Sequence, residues 1–185
     1  MTGKLPRKEH RATERFQDMP VLSRLTPDEV ERLLACGDEV VLPAGKPVFQ
    51  PGEPADSMYI ILSGKVDVGR PPPGRPLTVL ATVGQGSVIG GGSCLNQRPR
   101  SAGAFAVEET RLHRIDGARF RALLDKGDVA GFKFVHEFAK LLSGRLRRLE
   151  DELVKTLEGV APEQREQRLR ELQQFRQTLY SDWSF

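Results

Sequence analysis

The spacing of apolar positions changes character twice along the chain. Between Thr26 and Gly37, Val30, Leu33 and Leu34 recur three to four residues apart and share one helix face. Local chemistry marks the start of that helix. Thr26 can cap, Pro27 suits a first helical position where an N–H has no partner, and Glu29 can reach back to close a capping box. The helix is predicted to end near Gly37. From Glu39 the pattern becomes short runs of β-branched and aromatic residues divided by glycine and proline. Val40–Leu42, Val48–Phe49, Met58–Leu62, Lys65–Val68, Leu77–Val83, Ala102–Val107 and Arg111–Ile115 are the predicted strands. Turn signals at Pro43-Ala44-Gly45, Pro51-Gly52-Glu53, Ser63-Gly64 and Gly84-Gln85-Gly86 give the spacing of a small sandwich or barrel. The proline-rich run Arg70–Pro76 lacks the donors of a central strand and is predicted to be an exposed hairpin loop.

After Ile115 the period turns helical, first over Gly117–Leu124 and then from about Asp128. In the second helix Val135, Phe138, Leu142, Leu146, Leu149, Leu153 and Leu157 form one long apolar stripe, with spacings of 3, 4, 4, 3, 4 and 4. Gly159 and Pro162 should end or bend it, and Leu169, Leu172, Phe175 and Leu179 mark a final amphipathic helix. The division expected is a lysine- and arginine-bearing leader over 1–19, a domain over 20–158 that includes the long helix, and a terminal amphipathic helix over 159–185. The fold class is α+β, a jelly-roll-like antiparallel β-sandwich with helices before and after the strands.

Composition narrows the functions. With 185 residues, 38% hydrophobic and 29% charged, the chain suits one domain with a full core and a modest extra element. Its formal charge of +3 is too small to demand a polyanionic partner. The two cysteines, Cys36 and Cys94, are too few for a disulfide framework or a four-thiolate cluster, so a reducing cytoplasm is expected and Cys94 is read as structural. No run approaches the ~20 apolar residues of a membrane span, and the polar stretch Met1–Arg15 has no apolar core of a signal peptide behind it. His10, His113 and His136 stand far apart, with no close His, Asp or Glu in a recognised ligand motif, so neither metal nor cofactor is expected. No Ser–His–Asp, Walker or dinucleotide pattern is present, and an enzyme is not expected.

Three segments carry more specific information. They are Val48-Phe49-Gln50-Pro51-Gly52-Glu53-Pro54-Ala55-Asp56-Ser57-Met58-Tyr59-Ile60-Ile61-Leu62-Ser63-Gly64, then Val83-Gly84-Gln85-Gly86, then Ile89-Gly90-Gly91-Gly92-Ser93-Cys94-Leu95-Asn96-Gln97-Arg98-Pro99-Arg100-Ser101-Ala102. In this order they resemble the cyclic-nucleotide-binding domain family of catabolite-activator-type regulators, kinase regulatory subunits and gated channels. The likeness covers roughly Pro20 to Leu157. It implies a β-roll, with the third segment as a phosphate-binding cassette that carries a short helix.

The chemistry of such a cassette is simple, since an anion is held well by N–H groups at a helix start and by an arginine fork. Gly90, Gly91, Gly92 and Ser93 are the expected helix start, and Arg100 and Ser101 complete the ligand cradle; Arg98 is read as a surface residue. The resemblance places a ribose-binding glutamate at the position of Gly91 and a leucine at that of Gly92, so both side chains are missing here. Losing one charge-assisted hydrogen bond costs about 1.5–3 kcal/mol, roughly a tenfold to hundredfold loss of affinity. The expected function is a non-enzymatic regulator that binds cyclic AMP or cyclic GMP weakly, or an anion without a ribose. The alternative is a ligand-free interaction module with a vestigial pocket.

The resemblance also assigns the long helix two jobs, covering the ligand with Phe134, Phe138 and Leu141 and pairing across a homodimer. Leu169, Leu172, Phe175, Leu179 and Trp183 are expected to dock back on the dimer or into a partner protein. A transcription regulator would need a helix-turn-helix with a basic reading helix. The 28 residues after Leu157 balance Arg165, Arg168, Arg170 and Arg176 against Glu158, Glu163, Glu166, Glu171 and Asp182, so no nucleic-acid binding is expected of this chain alone.

Overall fold

The structure is a computed structural model and describes residues 16, 18–70 and 78–158. The remainder of the leader, the proline-rich loop from Pro71 to Leu77 and the expected terminal helix with Trp183 lie outside the described residues. Helix α1, Pro27–Leu34, begins on the expected capping box: Glu29 N donates to Thr26 Oγ1 at 3.3 Å, and Thr26 N donates to Glu29 Oε2 at 2.8 Å. It stops at Leu34, earlier than expected, because Gly37 already belongs to a strand. A side chain at Gly37 would run into the backbone carbonyl of Arg114 on the neighbouring strand, so the glycine permits close strand pairing rather than helix termination.

The strands are β1 Gly37–Leu42, β2 Pro47–Phe49, β3 Ser57–Ser63, β4 Lys65–Arg70, β5 Thr78–Gly84, β6 Val88–Ile89, β7 Gly103–Ala106 and β8 Thr110–Asp116. They form two four-stranded antiparallel sheets, β1-β8-β3-β6 and β2-β7-β4-β5. This is the expected α+β jelly-roll arrangement. The two-residue strand β6 escaped the sequence reading because two positions show no alternation.

The register explains how β3 packs. Tyr59 and Ile61 join Phe49, Val66, Ile89, Ala104 and Leu112 in the core between the sheets. Alternation sends Met58 and Ile60 to the other face, opposite Ile115 and His113 of β8, where they are buried as well. His113 Nε2 lies 3.0 Å from the Leu34 carbonyl and its ring meets Phe16 edge-on, so this outer face is covered by the end of α1 and the segment before it.

Three further helices follow in the chain: α2 Gly91–Asn96, α3 Gly117–Asp125 and α4 Val129–Glu158. The chain divides into two compact units, Met1–Ala139 and Lys140–Phe185, with the early turns of α4 in the first. In those turns the buried residues are Ala130, Gly131, Phe134, Glu137 and Phe138, while Val135 is only half-buried. This differs from the stripe read in the sequence. Further along, Leu142, Leu146 and Leu149 are 41%, 50% and 67% exposed. Among the described residues no helix is long and apolar enough to cross a membrane.

Candidate functional site

The third glycine-bearing segment turns sharply after β6. Gly90 has φ +71°, a left-handed conformation that glycine adopts without penalty, and it precedes α2. Its missing side chain matters a second time: a Cβ there would stand 2.5 Å from Arg100 Nη1 and 3.1 Å from the Phe49 ring. Cys94 N closes the first helical hydrogen bond of α2 onto Gly90 O at 3.1 Å, which leaves the N–H groups of Gly91, Gly92 and Ser93 without partners inside the helix.

Arg100 is fixed from both directions by the turn between β2 and β3. Its N–H donates to Glu53 O at 2.9 Å, and Gly52 N–H donates to its carbonyl at 2.8 Å. The side chain is turned into the protein and is 4% exposed. Nη1 donates to Gly90 O at 3.0 Å, and Nη2 donates to Ser57 O at 2.7 Å and to Ser57 Oγ at 3.3 Å. The guanidinium carbon lies 4.3 Å from the centre of the Phe49 ring, which stacks on Tyr59 with 6.0 Å between centroids.

The electrostatics of this arrangement are unbalanced. Among the described residues no carboxylate forms an ion pair with Arg100. The link to negative charge is indirect: Ser57 Oγ donates to Asp56 Oδ1 at 2.8 Å, and Asp56 is itself paired with Arg114 at 3.4 Å. Arg100 Nε is buried with no hydrogen-bond partner. Taking a guanidinium out of water costs several kcal/mol, and carbonyl dipoles with one aromatic face repay that only in part.

The other side of the cradle is closed by an aromatic ring. A Cβ at Gly91 would lie 2.5, 3.0 and 3.2 Å from Cζ, Cε1 and Cε2 of Phe138. Phe138, 3% exposed, stacks on Phe134 at 6.2 Å and 12°, and Phe134 meets Phe120 edge-on at 5.4 Å. The position without a carboxylate is therefore also one where any side chain would have to displace the Phe138 ring.

The remaining expected residues fall as follows. Gly92 is exposed, and a Cβ added there would meet nothing within 4 Å. Ser93 is half-buried, and Ser101 and Arg98 are exposed. Phe138 lies against Gly91 and Phe134 stacks on Phe138, whereas Leu141, half-buried, belongs to the second unit. Cys94 is 1% exposed, and burial pushes its thiol above the ordinary range against the pull of Arg100 and Arg121, so it packs rather than reacts. The sequence reading missed Ser57 and Phe49. Both lie inside the segment Val48–Gly64, but no local pattern distinguishes a serine or a phenylalanine that will meet an arginine 43 residues further on, as Ser57 does.

Comparison with known proteins bears on the fold rather than on these contacts. The cyclic nucleotide-binding domain family matches residues 39–126, from β1 through α3. The chain is 34% identical over 134 residues to the cyclic AMP receptor protein of Thermus thermophilus, covering 72% of this chain and 60% of that protein. It is 29% identical to a CRP-like cAMP-activated global transcriptional regulator of Mycobacterium tuberculosis, covering 72% of this chain and 58% of the regulator. The chain thus spans about three-fifths of the length of these relatives. Among solved structures, a cyclic nucleotide-binding domain from Methylobacillus flagellatus superposes with a TM-score of 0.70 at 25% identity, over 78% of this chain and 85% of that one.

Proposed function

Because residues 39–126 belong to the cyclic nucleotide-binding domain family, we propose that this chain is a non-enzymatic regulatory protein whose Arg100 cradle receives an anion. The anion is a cyclic nucleotide held weakly or a different anionic ligand, and its arrival is relayed through α4. The observation that carries the reading is the buried guanidinium of Arg100, with no carboxylate paired to it among the described residues and a bare Nε. A bound anion supplies the missing countercharge, and Gly90, Gly91, Gly92, Ser93 and Ser101 supply the backbone and hydroxyl around it. Phe134 and Phe138 connect the cradle to the long helix. Moving the cradle moves their ring stack, which gives binding a differential effect on α4.

Calorimetric titration of the full chain with cyclic AMP, cyclic GMP and inorganic phosphate tests this. At least one should bind, and Arg100→Lys, which keeps the charge but loses the planar fork, should weaken it by tenfold or more. Equal affinity in the two proteins would count against Arg100 as the anion's partner.

A second reading is a ligand-free interaction module. It is favoured by the two Nη atoms of Arg100 already donating to protein carbonyls and by the Phe138 ring against Gly91. Under it, none of the three ligands binds at millimolar concentration. In either case the exposed Leu142, Leu146 and Leu149 support self-association through the later turns of α4.

A further inference from the structure

We infer that Phe138 is the specificity-determining residue of the Arg100 site, and that it selects a compact anion carrying no sugar. This rests on the reading of Arg100 as the anion's partner. Three ring atoms of Phe138 lie within 3.2 Å of the Cβ position of residue 91, so the ring and any side chain there exclude each other. The ring is also not free to swing aside. It is 3% exposed and stacked on Phe134, which is held in turn by Phe120.

Two consequences follow for a ligand. The volume beside Gly91 is filled and apolar, so a ribose placed there meets carbon where its hydroxyl needs a polar partner. The unfilled side of α2 is that of Gly92, which is exposed and where an added Cβ would meet nothing within 4 Å beyond its chain neighbours and its own helix backbone. A small oxyanion or carboxylate satisfies Arg100 without occupying the space of the ring, and a nucleoside cyclic phosphate does not. It also follows that Gly91 is no simple loss of a carboxylate. Glycine at 91 and phenylalanine at 138 are sterically coupled, and adding a side chain at 91 alone leaves the ring in place.

The test is calorimetry on the full chain with inorganic phosphate and with cyclic AMP. The proteins are the native chain, Phe138→Ala, Phe138→Leu, Gly91→Glu and the double variant Gly91→Glu/Phe138→Ala, each checked for folding by urea denaturation. The native chain should bind phosphate at least tenfold more tightly than cyclic AMP. Phe138→Ala should shift that ratio by tenfold or more towards cyclic AMP, and Phe138→Leu should shift it less. Gly91→Glu alone should gain no cyclic AMP affinity, while the double variant should bind it tenfold to a hundredfold more tightly than Phe138→Ala.

Two results overturn the inference and leave the site standing: phosphate binding that depends on Arg100 with a ratio unmoved by Phe138 changes, or a full gain of cyclic AMP binding from Gly91→Glu alone. Absence of binding by either anion in every protein overturns the Arg100 reading itself, and this inference with it.

Discussion

Replacing Gly91 by alanine adds a single methyl group, and the structure predicts opposite signs for its effect in two backgrounds. In the native chain the new Cβ would sit 2.5 Å from Phe138 Cζ and within 3.2 Å of two more ring carbons. Carbon atoms pack at about 3.5–4.0 Å, so either the ring or the start of α2 must retreat by about an ångström. Neither does so freely, because the ring is stacked on Phe134 and α2 is tied through Gly90 O to Arg100. Overpacking of this kind costs about 1–3 kcal/mol. In the Phe138→Ala background the obstacle is gone, and the ordinary preference of a helix for alanine over glycine, up to about 1 kcal/mol, should make the same change neutral or stabilising. Phe138→Ala itself should cost about 3–5 kcal/mol, so Phe138→Leu provides a milder parallel background. Urea denaturation of the four proteins gives the cycle, with unchanged m-values showing that shifts of the midpoint report stability. A Gly91→Ala change that is harmless in the native chain, or equally harmful in both backgrounds, would refute the packing argument.

Other features give separate expectations. Lys133 donates to both Glu29 carboxylate oxygens, at 2.7 and 2.8 Å, and this bond, followed by the Thr26 N–H, holds the Glu29 carboxyl below its ordinary range. A lowered folded-state value means stability that is present above the unfolded value and is lost as pH falls through the folded one. Glu29→Gln should therefore flatten the acid limb of a stability-against-pH curve below about pH 4.5. Burial likewise pushes His113 below its usual value, so the unfolded chain takes up the proton first and stability should decline as pH drops below about 6.5. His113→Gln should remove that slope in denaturation curves measured between pH 7 and 5, and an unchanged slope would assign it elsewhere. For self-association, Leu146→Asp and Leu149→Asp place charge on residues 50% and 67% exposed and should shift sedimentation towards monomer without lowering stability by more than about 0.5 kcal/mol. Identical sedimentation of native and variant proteins would remove α4 as the association surface.

What the sequence disclosed divides by the range of the interaction. The capping box at Thr26, the short helix opening at the glycines from Gly90 and the strands other than β6 are decided within a few residues, and these were legible. Arg100 was legible by its spacing from the glycines, but its inward orientation was not. That orientation depends on Ser57 and Phe49, which only the pairing of the sheets brings near. The long helix shows the same limit. Its strongest periodic stripe includes the buried Phe138 as well as the exposed Leu142, Leu146 and Leu149, and it leaves out the buried Ala130 and Phe134, so a hydrophobic period alone did not tell an inward face from an outward one. Gly91 could be recognised as lacking a carboxylate, yet the ring that fills its place comes from a helix beyond four intervening elements, β7, β8, α3 and the remainder of α2.

Whether Arg100 waits for an anion is tested most directly at its bare Nε. In a ¹⁵N-labelled sample, the Nε–H resonance of Arg100, assigned by its loss in Arg100→Lys, can be followed while inorganic phosphate, cyclic AMP and cyclic GMP are added in turn. An anion-receiving cradle predicts a saturable shift of that resonance with at least one of them, together with shifts of the Gly91, Gly92 and Ser93 amides. A resonance that stays in place with all three up to millimolar concentration would contradict it and leave the cradle a closed structural element.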